Sequence, residues 1–137
     1  MFKKVVLGGT FDGLHDGHRS LLRTAFDAAE SVVIGLTSDD FAQRFRTRAV
    51  ASYESRKKGL DGFVRGLGKP YETVRIDDSY GMATLADDID AIVVSEETLL
   101  RGQEINAIRF KKNKPKLVLI VVPIVCGPDG IPLSSGD

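Results

Sequence analysis

The chain has 137 residues, of which 42% are hydrophobic and 28% charged, values that are ordinary for one globular domain spanning residues 1–137. Nineteen basic residues balance nineteen acidic ones, so no overall charge attracts nucleic acid, and a phosphorylated ligand must be bound by a local cluster. A single cysteine is typical of a reducing compartment, and no apolar run approaches the roughly 20 residues that cross a bilayer, so we expect a cytoplasmic protein without membrane contact.

Short apolar runs rich in β-branched residues predict five strands, at residues 4–8, 31–37, 71–76, 90–95 and 116–125. Segments with helical periodicity predict helices at residues 20–30, 53–66, 83–89 and 96–112. This alternation predicts an α/β fold in which a five-stranded parallel sheet is covered by helices on both faces. Ligands of such sheets bind at the carboxyl ends of the strands, so we expect the polar segments that follow the strands to converge on one site.

The most informative segment is residues 8–18, GGTFDGLHDGH, between the first predicted strand and the first predicted helix. Its glycines let the backbone approach a bound group closely, and the helix that follows offers unpaired N–H groups and the positive end of its dipole to an anion. His15 and His18 add two hydrogen-bonding or cationic groups at the same place. The combination predicts a phosphate site; the alternative is that the histidines only cap the helix and pair with Asp12 or Asp16.

The same segment argues against several familiar sites. It lacks the Lys-Ser/Thr ending of a Walker A loop and the G-x-G-x-x-G spacing of a dinucleotide-binding turn. A zinc site would need further ligands at regular spacing, which Cys126 and scattered carboxylates do not supply.

Residues 10–18 resemble the T/HxGH signature of the nucleotidyltransferase superfamily, through the pattern Thr-Phe-Asp-x-Leu-His-x-Gly-His. The resemblance implies a three-layer, Rossmann-like nucleotidyltransferase fold. It also implies that His15 and His18 contact the nucleotide phosphates and stabilise the transition state of attack at the α-phosphorus, while Thr10 contacts the phosphate of the attacking substrate. Three neighbours are expected to help bind ATP: Gly9, Phe11 and Gly17.

A basic cluster follows the second predicted strand, and only Glu54 offsets its charge: Arg44, Arg46, Arg48, Arg56, Lys57 and Lys58. A solvated surface is the ordinary explanation of such a cluster. Arginine also binds phosphate oxygens bidentately, so one or two of these residues are candidates for the second substrate's phosphate. By their position before a segment similar to the family's next helix, we expect Arg48 to be the first candidate and Arg46 the second. No aromatic residues interleave the charges, which argues against a nucleic-acid surface.

Residues 90–98, DAIVVSEET, and residues 105–109, INAIR, resemble the archaeal branch of the phosphopantetheine adenylyltransferases. The resemblance implies that Ser95 and Glu97 contact ATP, and it marks Asn106 and Arg109 as motif positions without an assigned role. The alternative for the first segment is a plain helix start, with Ser95 as the N-cap and Glu97 in the first turn. A helix start and contact with ATP are compatible at this segment.

The last segment, residues 129–137, contains Ser134 and Ser135, which the resemblance places at the ATP phosphates. Gly136 and Asp137 stand where the family has a threonine and a basic residue. An aspartate there would repel ATP phosphates, and the family's C-terminal helix is missing or divergent. Either the sequence is truncated or engineered at this end, or the protein has lost part of the ATP site and is a nucleotide-binding protein without turnover.

The reaction implied by the resemblance is transfer of AMP from ATP to 4′-phosphopantetheine, giving dephospho-coenzyme A and pyrophosphate, with Mg²⁺ bridging the ATP phosphates and few or no protein ligands to the metal. An adenylyltransferase acting on FMN or nicotinamide mononucleotide is the other alternative. The oligomeric state stays open, because Leu99, Leu100 and Phe110 suit either a core or an interface.

Overall fold

The computed structural model describes residues 1–44, 46–78 and 88–123. The strands are β1 (Phe2–Gly9), β2 (Ala29–Thr37), β3 (Tyr71–Ile76), β4 (Ala91–Ser95) and β5 (Val118–Val122). The helices are α1 (Asp16–Ala28), α2 (Asp39–Gln43), α3 (Tyr53–Val64) and α4 (Leu99–Lys111), with a 3₁₀ turn (Arg65–Leu67) after α3. All strands are parallel, in the order β3-β2-β1-β4-β5. The predicted five-stranded parallel sheet is confirmed.

Helices cover both faces of the sheet. Successive side chains of a strand point to opposite sides, and on the central strand the side chains on both sides are apolar. Val5 of β1 belongs to a buried cluster that includes Leu22 of α1 and Leu60 of α3. Its neighbour Val6 belongs to a second cluster, with Ile105 of α4. Each of these fully buried side chains stabilises the fold by roughly 1.5–3 kcal/mol. The three-layer arrangement follows because consecutive residues of the central strand are apolar, so both faces of the sheet must be covered.

Several predicted boundaries differ from the structure. α1 begins at Asp16 and ends at Ala28, so β2 starts two residues earlier than predicted, with Ala29 already paired to Phe2 of β1. The short helix α2 was not predicted, although Ser38 is a recognisable N-cap whose Oγ accepts a hydrogen bond from the Phe41 amide at 3.2 Å. Most of the predicted helix at residues 83–89, and the predicted end of the last strand, lie outside the described residues.

α4 packs closely on the sheet through Gly102. A Cβ atom there would lie 3.2 Å from both Leu119 Cδ2 and Val94 Cγ1, so a larger residue would move the helix away from β4 and β5. Two large apolar side chains of the same helix, Leu100 and Phe110, are 67% and 68% exposed. No helix among the described residues is long and apolar enough to cross a membrane.

Candidate active site

A cleft of about 310 Å³ opens where β1 and β4 end. These strands are neighbours in the sheet, and the connections on either side of them run in opposite directions, which leaves a crevice for a ligand. The candidate site residues that line it are Gly9, Thr10, Phe11, His15, Gly17, His18, Arg46, Ser95 and Glu97. The tertiary structure thus brings together segments that are far apart in sequence.

His15 is the N-cap of α1. Its Nδ1 accepts hydrogen bonds from the amides of Gly17 at 3.0 Å and of His18 at 3.4 Å. Since this lone pair is occupied, the neutral ring carries its hydrogen on Nε2. Gly17 permits the arrangement, because a Cβ there would lie 2.9 Å from His15 Cε1.

His18 is buried and stacks on His15, with ring centroids 3.8 Å apart and planes 15° from parallel. Its Nδ1 lies 3.2 Å from the carbonyl oxygen of Gly13, which can only accept, so Nδ1 carries a hydrogen. The edge-on ring of Phe11, with its centroid 5.3 Å away, packs against His18. The two imidazoles are therefore held as one unit at the positive end of the α1 dipole.

The capping part of the alternative interpretation is correct, since His15 is the N-cap of α1. Asp12 forms an ion pair with Arg48 at 2.8 Å, and Asp16 forms one with Arg19 at 3.3 Å. Capping does not remove the histidines from the cleft, because both rings line it.

Thr10 is buried at the base of the cleft and is surrounded by arginine and threonine side chains. Its Oγ1 accepts hydrogen bonds from Thr37 Oγ1 at 3.0 Å and from Arg46 Nη2 at 3.1 Å. Its carbonyl oxygen accepts one from Arg56 Nη1 at 3.0 Å. Of the basic cluster, Arg56 is thus a buried side chain bonded to the site and not part of a solvated surface.

The structure distinguishes the two arginines proposed for the acceptor phosphate. Arg46 lines the cleft and donates to Thr10, and its Nη1 also donates to the carbonyl oxygen of Ala42. Arg48, the first candidate from the sequence, is half exposed and bonded to Asp12. The geometry favours Arg46, and Arg48 stays a prediction.

Ser95 closes a turn between β4 and α4. Its Oγ accepts a hydrogen bond from the Thr98 amide at 3.2 Å, and Thr98 Oγ1 accepts one from the Ser95 amide at 2.9 Å. The prediction that Ser95 is the N-cap of α4 is wrong: Thr98 holds that position, because the reciprocal bonds delay the helix until Leu99. Ser95 and Glu97 nonetheless both line the cleft.

Several cleft residues were not singled out from the sequence, and they include Phe41 of α2 and Arg101 of α4. Arg101 had a usable signal, because it follows the Ser-Glu-Glu-Thr turn by one helical turn and so returns to the same end of the sheet. Phe41 depended on α2, which was not predicted. Ser134 and Ser135 lie outside the described residues.

Asn106 and Arg109, the motif positions without an assigned role, do not line the cleft. The Asn106 side chain donates to the Leu117 carbonyl oxygen at 2.9 Å and accepts from the Leu117 amide at 2.7 Å. Arg109 Nε donates to the Pro115 carbonyl oxygen at 2.8 Å. Both side chains therefore hold the connection that leads from α4 into β5.

The sequence relationships of the chain agree with this geometry. The cytidylyltransferase-like family matches residues 6–135. A phosphopantetheine adenylyltransferase from Methanopyrus kandleri is 42% identical over 136 residues, 98% of this chain and 87% of the relative. Another, from Methanosarcina mazei, is 44% identical over 137 aligned residues, 96% of this chain and 87% of the relative.

Solved structures extend the comparison. A protein of unknown function from Archaeoglobus fulgidus is 35% identical, with a TM-score of 0.74 over 87% of this chain and 88% of that one. A pantothenate synthetase from Thermus thermophilus is 14% identical, with a TM-score of 0.65 over 98% of this chain and 60% of its own, and so shares the fold alone. By its family match and its curated relatives, the chain belongs to the cytidylyltransferase-like family and, within it, to the archaeal-type phosphopantetheine adenylyltransferases, which are nucleotidyltransferases.

Proposed function

We propose that this chain transfers the adenylyl group of ATP to 4′-phosphopantetheine, forming dephospho-coenzyme A for coenzyme A biosynthesis. A phosphate oxygen of 4′-phosphopantetheine attacks the α-phosphorus of ATP, and the bond from that phosphorus to the pyrophosphate oxygen breaks. The observation that carries the proposal is that the stacked histidines and the bonded pair of Thr10 and Arg46 line one cleft. Family membership favours 4′-phosphopantetheine over FMN or nicotinamide mononucleotide as the acceptor.

His15 and His18 are proposed to stabilise the charge that develops on the α-phosphate. In phosphoryl transfer the protein mainly positions the reactants and stabilises charge. The His15 tautomer offers Nε2–H as a donor, and a protonated His18 offers a second one. Because the rings are stacked and held by backbone bonds, they need little reorganisation during the reaction.

Thr10 and Arg46 are proposed to hold the attacking phosphate, with Arg48 as a second candidate. The Arg46 guanidinium is already within 3.1 Å of Thr10 Oγ1, so one phosphate group can contact both side chains. Such charge-assisted hydrogen bonds are roughly twice as strong as neutral ones.

ATP is proposed to lie between the start of α1 and the turn that follows β4. Gly9, Phe11 and Gly17 form the α1 side of this part of the cleft, and Ser95 and Glu97 form the β4 side. Ser134 and Ser135 complete the set expected at the phosphates.

A Mg²⁺ ion that accompanies ATP would fit this cleft. Among the described residues no group of three His, Cys, Asp or Glu side chains is placed to hold a metal ion, and Glu97 is the one carboxylate of the described cleft lining. Mg²⁺ usually keeps several waters and is held by one or two carboxylates together with substrate phosphates. When bound, the ion would neutralise part of the triphosphate charge, and Glu97 would be its protein contact.

The test is pyrophosphate release from ATP and Mg²⁺ with each of three acceptors in turn: 4′-phosphopantetheine, FMN and nicotinamide mononucleotide. We expect turnover with 4′-phosphopantetheine alone. Pantetheine without its phosphate is the matched control, because it lacks the nucleophile and should release no pyrophosphate. Turnover with another acceptor would replace the proposed substrate, and binding of ATP without any turnover would favour a nucleotide-binding protein.

A further inference from the structure

A continuous row of hydrogen bonds leads from the buried Arg56 through Thr37 to the hydroxyl of Thr10. We propose that Arg56 and Thr37 are positioning residues that direct the Thr10 hydroxyl hydrogen toward the phosphate of the acceptor. The inference rests on the proposed role of Thr10 in binding that phosphate.

Arg56 is 3% exposed and is fixed by bonds to several backbone and side-chain oxygens. Its Nε donates to the Ala51 carbonyl oxygen at 2.8 Å, and its Nη2 donates to the Thr37 carbonyl oxygen at 2.9 Å and to Asp39 Oδ1 at 3.2 Å. Its Nη1 donates to the Thr10 carbonyl oxygen at 3.0 Å and to Thr37 Oγ1 at 3.1 Å. A guanidinium held at this many points has one orientation.

The orientation of Arg56 determines the direction in which the Thr37 hydroxyl donates its hydrogen. Arginine donates and never accepts, so the 3.1 Å contact with Arg56 occupies a lone pair of Thr37 Oγ1. Thr37 then donates its own hydrogen to Thr10 Oγ1 at 3.0 Å.

Thr10 receives two such donors, Thr37 Oγ1 at 3.0 Å and Arg46 Nη2 at 3.1 Å. A hydroxyl oxygen has two acceptor lone pairs and one hydrogen, so both lone pairs of Thr10 Oγ1 are occupied. The remaining hydrogen is available to a ligand in the cleft. An anionic phosphate therefore meets a donor, whereas a freely rotating hydroxyl would also present a repelling lone pair.

Thr37→Val tests the proposal, since it removes the hydroxyl at nearly constant shape. Steady-state kinetics of pyrophosphate release are measured for this variant, for Thr10→Val, for the double variant and for Thr37→Ser. Thr73→Val in the adjacent strand β3 is the matched control, because Thr73 Oγ1 is buried and has no hydrogen-bond partner among the described residues. Thermal melts of each variant report folding separately.

We expect Thr37→Val to lower kcat/KM for 4′-phosphopantetheine about fivefold to tenfold, the effect of one hydrogen bond, and to leave KM for ATP within about twofold. Thr37→Ser should restore the wild-type value, and Thr73→Val should not change it. Once Thr10 is valine, the Thr37 substitution should have no further effect on kcat/KM.

Full activity of Thr37→Val would overturn the proposal, as would an undiminished effect of that substitution in the Thr10→Val background. Failure of the proposed function is recognised separately: the wild-type protein would release no pyrophosphate with 4′-phosphopantetheine. If the wild type is active but Thr10→Val matches it, the assignment of Thr10 fails and this inference fails with it.

Discussion

Two arginines of this protein are almost completely buried, yet their surroundings differ. Arg56 is 3% exposed beside the cleft, and Nε, Nη1 and Nη2 all donate to oxygen atoms. Arg109 of α4 is 0% exposed. Its Nε donates to the Pro115 carbonyl oxygen, but within the described part of the chain neither Nη1 nor Nη2 has a hydrogen-bond partner.

The partners of the two guanidinium groups distinguish an arginine of the candidate site from an arginine that supports the fold. Burying a guanidinium is costly unless its N–H groups are satisfied, and around Arg56 the satisfying groups include Thr10 and Thr37, which belong to the cleft. Around Arg109 the partner is the backbone that precedes β5, where Asn106 also bonds to Leu117. Burial alone therefore does not identify a residue of the site.

The largest expected effect tests whether the chemistry is confined to the cleft. His18→Ala should lower kcat at least a hundredfold, because it removes a stabiliser of transition-state charge. Asn106→Ala is the contrasting variant: it should lower the free energy of unfolding by about 2 kcal/mol through two lost hydrogen bonds, with kcat within about threefold of wild type. Pyrophosphate release and urea denaturation measure the two quantities. Near-normal turnover of His18→Ala would contradict the assigned mechanism.

The second prediction compares the two arginines directly. Arg56→Met should lower the free energy of unfolding by about 2 kcal/mol, since it leaves buried carbonyl oxygens of Thr10 and Thr37 without donors. Arg109→Met removes a poorly satisfied buried charge and keeps most of the side-chain volume, so stability should stay within about 1 kcal/mol of wild type. Urea denaturation of both variants measures the two free energies of unfolding. Equal losses would show that the Arg109 guanidinium is satisfied beyond the described residues.

A smaller effect is expected within the histidine unit. In Gly17→Ala the new Cβ would press against His15 Cε1, 2.9 Å away, and the displaced ring should lower kcat about tenfold. Gly59→Ala on α3 is the matched control, because a methyl group added there would meet nothing within 4 Å and alanine favours a helix. It should keep wild-type kinetics and gain a little stability. If both variants had the same kcat, close packing of Gly17 on His15 would be unimportant for turnover.

The smallest effect should come from a solvent-exposed pair. Lys4 Nζ lies 2.9 Å from Asp88 Oδ2, and this hydrogen bond holds the pKa of Asp88 below its ordinary value. A carboxyl whose pKa is lowered on folding stabilises the fold above its unfolded pKa, and the contribution is lost as pH falls through the folded pKa. Asp88→Asn should therefore lower Tm by less than about 2 °C at pH of about 7, and the difference should disappear in acid. A difference that persisted in acid would have another cause.

The sequence alone predicted much of the fold and the place of the candidate site. Apolar runs that alternate with helical segments predicted the parallel sheet, because buried parallel strands need continuous apolar residues and helices need a 3.6-residue period. The segment of residues 8–18 predicted a phosphate site at the start of α1, since glycines, the helix start and both histidines are neighbours along the chain. The positions of His15, His18 and Gly17 in the cleft agree with that prediction.

Only the tertiary structure decided which distant polar residues meet. The sequence ranked Arg48 above Arg46, but the fold places Arg46 at Thr10 and bonds Arg48 to Asp12. It also made Arg56 a buried partner of the site and Asn106 a support for β5, distinctions that residue type and spacing do not contain. The physical reason is that a local motif is specified by neighbours in the chain, whereas a polar side chain's partner depends on which strands lie side by side.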